Sequence, residues 1–283
     1  MIVDTHVHVW EMPPVAPIGP TASSFTSLPE EAAPVELLIE DMDANGVDAA
    51  VLVQTSWSTW DNTYVAEAAS KHPGRLRSIG LIDPLDPGSA DLVGHWMDTL
   101  GMRGFRFHPD YYPDAEILTS PPAGRILGAI EDRRGIVKVH NRVPNAHQLA
   151  GAARRHPGIT WIIDHLMYPE PGMAADGWRD YDPVLRLAER ENVFLTISDV
   201  HSRSDVGFPY RDMHEVIKRG IDAFGIDRCL WGTGYPGHLR VAHGWPPLAD
   251  ELRLVRDGLD WLTAAERASI LGGNAKRLYA YGA

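Results

Sequence analysis

The sequence predicts an α/β protein folded as one (β/α)8 TIM barrel over residues 1–283, and three observations predict it. Short apolar runs recur eight times from end to end, amphipathic segments fill the intervals, and no shift in composition marks a linker or second domain. An open doubly wound sheet is the alternative, but no G-x-G-x-x-G follows the first run.

The expected strands are Val3–Val9, Ala49–Gln54, Arg77–Ile82, Gly104–His108, Ile136–His140, Ile159–His165, Val193–Ser198 and Arg228–Trp231. Several are almost continuously apolar, as strands covered on both faces must be. Helices are expected at Val35–Met42, stopped by Asn45-Gly46, at Thr63–His72 and Ala146–His156, each stopped by Pro-Gly, and at Ala90–Leu100, Gly124–Arg134, Pro183–Glu191, Met213–Phe224 and Leu248–Leu259. Pro13–Pro34, His108–Pro122 and Met167–Tyr181 read as loops. Each follows a strand, so a barrel would hang all three over its C-terminal face.

Composition narrows the function. Acidic side chains number 38 against 26 basic ones, a formal charge of -12, which argues against nucleic acid and anionic membrane partners while leaving room for a small anionic substrate. A homo-oligomer is compatible with this surface. The single cysteine, Cys229, permits no intrachain disulfide and reads as a small buried strand residue. The N-terminus lacks the pattern of a signal peptide and no apolar run is long enough to span a membrane, so the expected location is cytoplasmic. No G-x-S-x-G elbow or P-loop occurs, and Trp57 and Trp60 are candidates for an aromatic pocket wall or for ordinary packing.

The chemistry gathers on histidines at strand ends. In Asp4-Thr5-His6-Val7-His8 the two imidazoles share a strand face roughly 6–7 Å apart, a spacing that can clamp one divalent cation. His108, His140 and His165 close the fourth, fifth and sixth strands. A lone histidine is most often structural. Four strands delivering imidazoles to one rim point instead to a catalytic or metal centre, because converging imidazoles desolvate one another unless something occupies their midst.

These motifs, H-x-H on the first strand, V-x-V-H on the fifth, I-x-D-H on the sixth and W-G-T-x-Y-P after the eighth, resemble the amidohydrolase-2 family of lactonases and non-oxidative decarboxylases. The resemblance runs from Asp4 to the closing Ile270–Ala275 segment. It implies that His6, His8 and His140 are metal ligands and that His165 polarises the scissile carbonyl or positions water. It makes Arg106, beside His108, either a substrate-carboxylate site or a salt bridge within the barrel. Zinc is the default ion, with manganese the alternative. The implied reaction is hydrolysis of a small cyclic carboxylated metabolite, a lactone before others. Decarboxylation on the same scaffold and a catalytically silent binding barrel are the competing readings.

The chain departs from the family at one place: Gly234 stands where the family carries the aspartate that completes the metal site and accepts a proton. A metal there is expected to be weakly held. Asp199 and His201, just past the seventh strand, are the expected substitutes, with His238 and His243 as lesser candidates.

Overall fold

The computed structural model describes residues 1–11, 31–58, 60–112, 116–236 and 244–282. Its eight parallel strands are β1 (Val3–Val7), β2 (Ala49–Val53), β3 (Leu76–Leu81), β4 (Gly104–Phe107), β5 (Ile136–Val139), β6 (Thr160–Ile163), β7 (Val193–Ile197) and β8 (Cys229–Trp231), paired in chain order. Every expected strand is present. The difference lies at their C-terminal ends: His8, His108, His140 and His165 fall just beyond the last strand residue, where the chain leaves the sheet and its side chains can turn into the mouth.

The outer layer is formed by α1 (Val35–Asn45), α2 (Thr63–Lys71), α3 (Ser89–Gly94), α4 (Pro121–Glu131), α5 (Ala146–Arg155), α6 (Asp182–Leu185), α7 (His214–Phe224) and α8 (Leu248–Arg253), followed by α9 (Ala264–Ala268) and α10 (Asn274–Tyr279). Gly46 ends α1 in the left-handed region and donates its N–H to Met42 O, as Asn45-Gly46 predicts. Three expected long helices are broken: α3, α6 and α8 run directly into wider or tighter turns at His95–Thr99, Arg186–Glu189 and Leu254–Gly258. The loops after β4 and β6 contain short 3-10 turns. No helix among the described residues is long and apolar enough to cross a membrane.

The strand alternation sorts the side chains into two cores. Outward residues such as Leu52, Phe105, Val137, Trp161 and Leu195 pack beneath the helices. Inward residues Val3, Val51, Ile79, Ile136, Ile162 and Leu230 form an apolar floor, plugged from below by Tyr279 and Tyr281. Tyr281 Oη donates to Ala50 O at 2.7 Å, and Arg77 Nε donates to Tyr279 O at 3.1 Å. Moving up β4 and β5 in steps of two, that floor gives way to Arg106 and Lys138, then to His108 and His140.

The ring closes between β1 and the segment after β8. Thr5 Oγ1 donates to Trp231 O (2.6 Å), Gly234 N to His6 O (2.7 Å) and His8 N to Tyr235 O (2.8 Å). Asp4 completes the seam by accepting from the Thr233 amide (3.1 Å), the Thr233 hydroxyl (2.6 Å) and the His6 amide (3.0 Å). Gly234 has φ +85°, a conformation that opposes any Cβ, so the turn that closes the barrel is also the place from which the family aspartate is missing.

Asp4→Ala removes a buried acceptor of three bonds and should destabilise the protein by about 2–4 kcal/mol. Urea denaturation reads this, and a loss below about 0.5 kcal/mol would mean that the seam holds without it.

Candidate active site

At the level above the apolar floor the barrel buries charge. Asp164, the residue after β6, is fully buried and accepts from Arg106 Nε on one oxygen (2.8 Å) and from Lys138 Nζ (2.9 Å) and His6 Nδ1 (3.2 Å) on the other. Lys138 Nζ also donates to Thr5 O at 3.3 Å. Burial pushes the Asp164 carboxyl up, but Lys138, His6 and Arg106 outweigh it and hold the group well below the ordinary carboxylate range. Burial likewise lowers the Lys138 ammonium, and Asp164 opposes that shift. Lys138 and Arg106 both pair with Asp164, and the buried Asp4 also acts on Lys138.

Partners fix the imidazole tautomers. A carboxylate or a carbonyl only accepts, so His6 Nδ1–H donates to Asp164 and His8 Nδ1–H donates to Val53 O (2.7 Å), leaving each Nε2 as a lone pair. His6 Nε2 is buried without a hydrogen-bond partner. Arg106 Nη2 lies 3.4 Å from His165 Nε2 and can only donate, so that nitrogen is also unprotonated, and His165 Nδ1–H points to Ser198 Oγ (2.9 Å). Burial lowers His6, His108 and His165 well below the usual histidine value and takes His8 to about 3, so all four are neutral acceptors at pH 7.

Two backbone irregularities aim these groups. The register of β1 against β2 shifts between Asp4 and Val7, which lets Val3 join the floor while His6 also faces inward. After β6, His165, Leu166, Met167 and Tyr168 all have φ between +52° and +61°. This left-handed turn brings Asp164 and its neighbour His165 into the same site, where strand alternation would have separated them, and places Tyr168 over the mouth.

Tyr168 joins a second hydrogen-bond chain. Asp110 Oδ1 accepts from His140 Nδ1 at 2.8 Å, which frees His140 Nε2 to accept from Tyr168 Oη at 3.1 Å. The Tyr168 ring contacts both His140 and His165, with centroids 4.8 and 5.0 Å apart. The guanidiniums of Arg142 and Arg203 lie 4.5 and 5.5 Å from its centroid. His108 stacks on Tyr111 at 4.6 Å and neighbours His140 at 5.2 Å.

Asp199 acts on the Tyr168 phenol, after burial the largest influence raising it, and pairs with His201. His201 Nδ1 contacts the buried Glu251 of α8 at 2.7 Å, His201 Nε2 lies 3.4 Å from Asp199, and Asp199 Oδ2 accepts from Ser202 (2.9 Å). His238, His243, most of the Pro13–Pro34 loop and the Trp57 side chain lie outside the described residues. Sequence reading passed over Asp164, Lys138, Tyr168 and Asp110. The first two had a signal: Lys138 interrupts an apolar strand two residues before His140, and Asp164 stands beside His165 in the sixth-strand motif.

His6, Asp164 and His165 offer ligand-type atoms within 4.8 Å of one another, a set compatible with a divalent metal. The unpartnered His6 Nε2 fits that role. The set includes Asp164 and His165 where the sequence pointed to His8 and His140, and both ring nitrogens of His140 are engaged elsewhere.

The Amidohydrolase family model matches residues 3–280. The chain belongs to this family. It is 24% identical to the L-fucono-1,5-lactonase of Burkholderia ambifaria, with 98% of this chain and 94% of that protein covered. Its fold matches a zinc-bound amidohydrolase from Burkholderia multivorans at TM-score 0.82 and 20% identity, and a probable 2-pyrone-4,6-dicarboxylic acid hydrolase from Acinetobacter baumannii, crystallised with citric acid, at 0.81 and 19%; each match covers 99% of both chains. The protein is an amidohydrolase-type enzyme.

Asp164→Asn keeps the shape of the side chain but leaves Lys138 and Arg106 without their anion. It should destabilise the fold by about 3–5 kcal/mol, measured by chemical denaturation, far more than a surface substitution would.

Proposed function

We propose that the protein hydrolyses the lactone of a small, carboxylated metabolite. The observation that carries this is the pairing of two fixed cations on Asp164 with neutral imidazole acceptors and a separate His–Asp pair at one barrel mouth. Arg106 is committed to Asp164 through Nε, and its Nη1 has no hydrogen-bond partner among the described residues. That edge of the guanidinium suits the carbonyl oxygen, where negative charge develops as water adds.

His165 Nε2 already accepts from Arg106 Nη2, so its ring suits a place beside the attacking water, one of the two roles the family resemblance leaves open, better than donation to a carbonyl oxygen. His165 and His6 are poor bases, because burial and the nearby Arg106 resist a positive charge on either ring. His140 is better placed, since the Asp110 carboxylate stabilises the imidazolium that forms. As water attacks, its proton passes to Tyr168 Oη while the Tyr168 proton moves to His140 Nε2. When the tetrahedral adduct collapses, the proton returns by the same path to the departing ring oxygen, giving the hydroxy acid. Arg142 and Arg203, flanking Tyr168, suit a substrate carboxylate held at the rim.

His6, Asp164 and His165 would hold a divalent ion, zinc before manganese, and such an ion supplies Lewis-acid polarisation of a carbonyl. One observation favours a second reading. Gly234 removes the hydrolytic base of the family, and decarboxylation does not need it. Incubation with a panel of lactones and arylcarboxylates decides between them: ring-opened acid without carbon dioxide supports hydrolysis, and carbon dioxide release from an arylcarboxylate overturns it.

His6→Ala and His140→Ala should each lower kcat/KM about 100-fold or more on the active lactone with the fold intact by circular dichroism. Tyr168→Phe should cut turnover about 100-fold on lactones releasing an alkyl alcohol and on those releasing a phenol alike, because the relay through Tyr168 takes the proton of the attacking water in both. Near-wild-type turnover of the variant would remove Tyr168 from the proton path.

A further inference from the structure

We propose that Lys138 occupies the electrostatic position of a metal ion: its ammonium, locked on Asp164 beside His6, makes the natural protein a weak binder of divalent cations, and removing that one charge creates a tight metal site at His6, Asp164 and His165. This inference stands on the geometry of the charged layer and is independent of which bond the enzyme breaks.

The three ligand-type groups already lie within 4.8 Å of one another, and His6 presents a buried lone pair that nothing satisfies. The donors for a cation are therefore in place. Their carboxylate is not available on ordinary terms, because Lys138 Nζ lies 2.9 Å from Oδ1 and Arg106 Nε lies 2.8 Å from Oδ2. A divalent ion entering this cradle would meet two fixed positive charges and share one negative charge with them. Neither charge can retreat into water, since Lys138 is wholly buried and Arg106 nearly so. At separations of a few ångströms in a dry interior, this repulsion is large.

Lys138 is also held by Thr5 O at 3.3 Å on β1, so the ammonium is tied to the strand that carries His6 and to the residue that follows β6. It bridges the elements that a metal would bridge. Arg106 remains paired with Asp164 Oδ2 after Lys138 is removed. Lys138→Met therefore leaves that ion pair intact, unlike removal of Asp164, which strands two cations.

Zinc titration by calorimetry, with metal content measured after dialysis, tests the proposal on the natural protein, Lys138→Met, Lys138→Gln and the double variant His6→Ala/Lys138→Met. Lys138→Gln covers the case in which methionine disturbs folding, since its amide can still donate to Thr5 O. The expected result is zinc affinity about tenfold or more tighter in the Lys138 variants, with one ion per chain. His6→Ala in the same background should abolish the gain, which excludes binding by surface histidines. The proposal is overturned if the natural protein already retains one zinc per chain through dialysis. It is overturned equally if the Lys138 variants bind no tighter, or if their gain survives loss of His6.

Discussion

The ion pairs on Asp164 are the constraint around which the rest of the site is arranged. A carboxylate with no exposure is tolerated only because Arg106, Lys138 and His6 surround it, and each comes from a different strand or strand end. These contacts set the tautomer of His6 and place the Arg106 guanidinium beside His165. The apolar floor beneath and the Asp4 seam at the side keep water from relaxing the cluster, so the dielectric that makes it costly also makes its field strong.

Much of this was legible in the sequence, and the parts that were not share a cause. Eight apolar runs and their punctuation gave the barrel, because strand periodicity is a local property. The strand-end histidines were visible for the same reason. Alternation put His6 and His8 on one face, and their rings do lie 5.0 Å apart, while the ligand set with His140 was implied by the family resemblance. The backbone breaks that alternation twice, by a register shift in β1 and by four successive left-handed residues after β6. Of His165, Leu166, Met167 and Tyr168 only the histidine is a type enriched at positive φ, so the turn that brings Asp164, His165 and Tyr168 together leaves little local signature. Lys138 differs. A lysine at an inward position of a buried strand was a signal, and the histidine beside it drew attention away.

Gly234 links closure of the fold to its chemistry. The residue sits at φ +85° in the turn whose amide bonds to His6 O, so this position serves the seam between the last and first strands. The carboxylate the family keeps there is absent here, and the Asp110–His140–Tyr168 chain is a further polar network at the same mouth. The two chains of polar contacts meet at the rings of His165 and Tyr168, and each is anchored on its own carboxylate, Asp164 or Asp110.

The strands that feed the Asp164 cluster have a consequence for how the chain assembles. β1 opens the sequence, whereas β4, β5 and β6 lie in its middle, so the cluster is complete only when the N-terminal strand has come round to the central ones. A half-barrel of β4 to β6 would carry Arg106, Lys138 and Asp164 but lack Thr5 O and His6, and its open edge would admit water to the charges. Intermediates of partial closure therefore gain little from these ion pairs, and their full strength arrives only with the finished ring. Buried charge in this position acts as a check on closure: it favours the complete barrel over partial assemblies that an all-aliphatic interior would stabilise nearly as well.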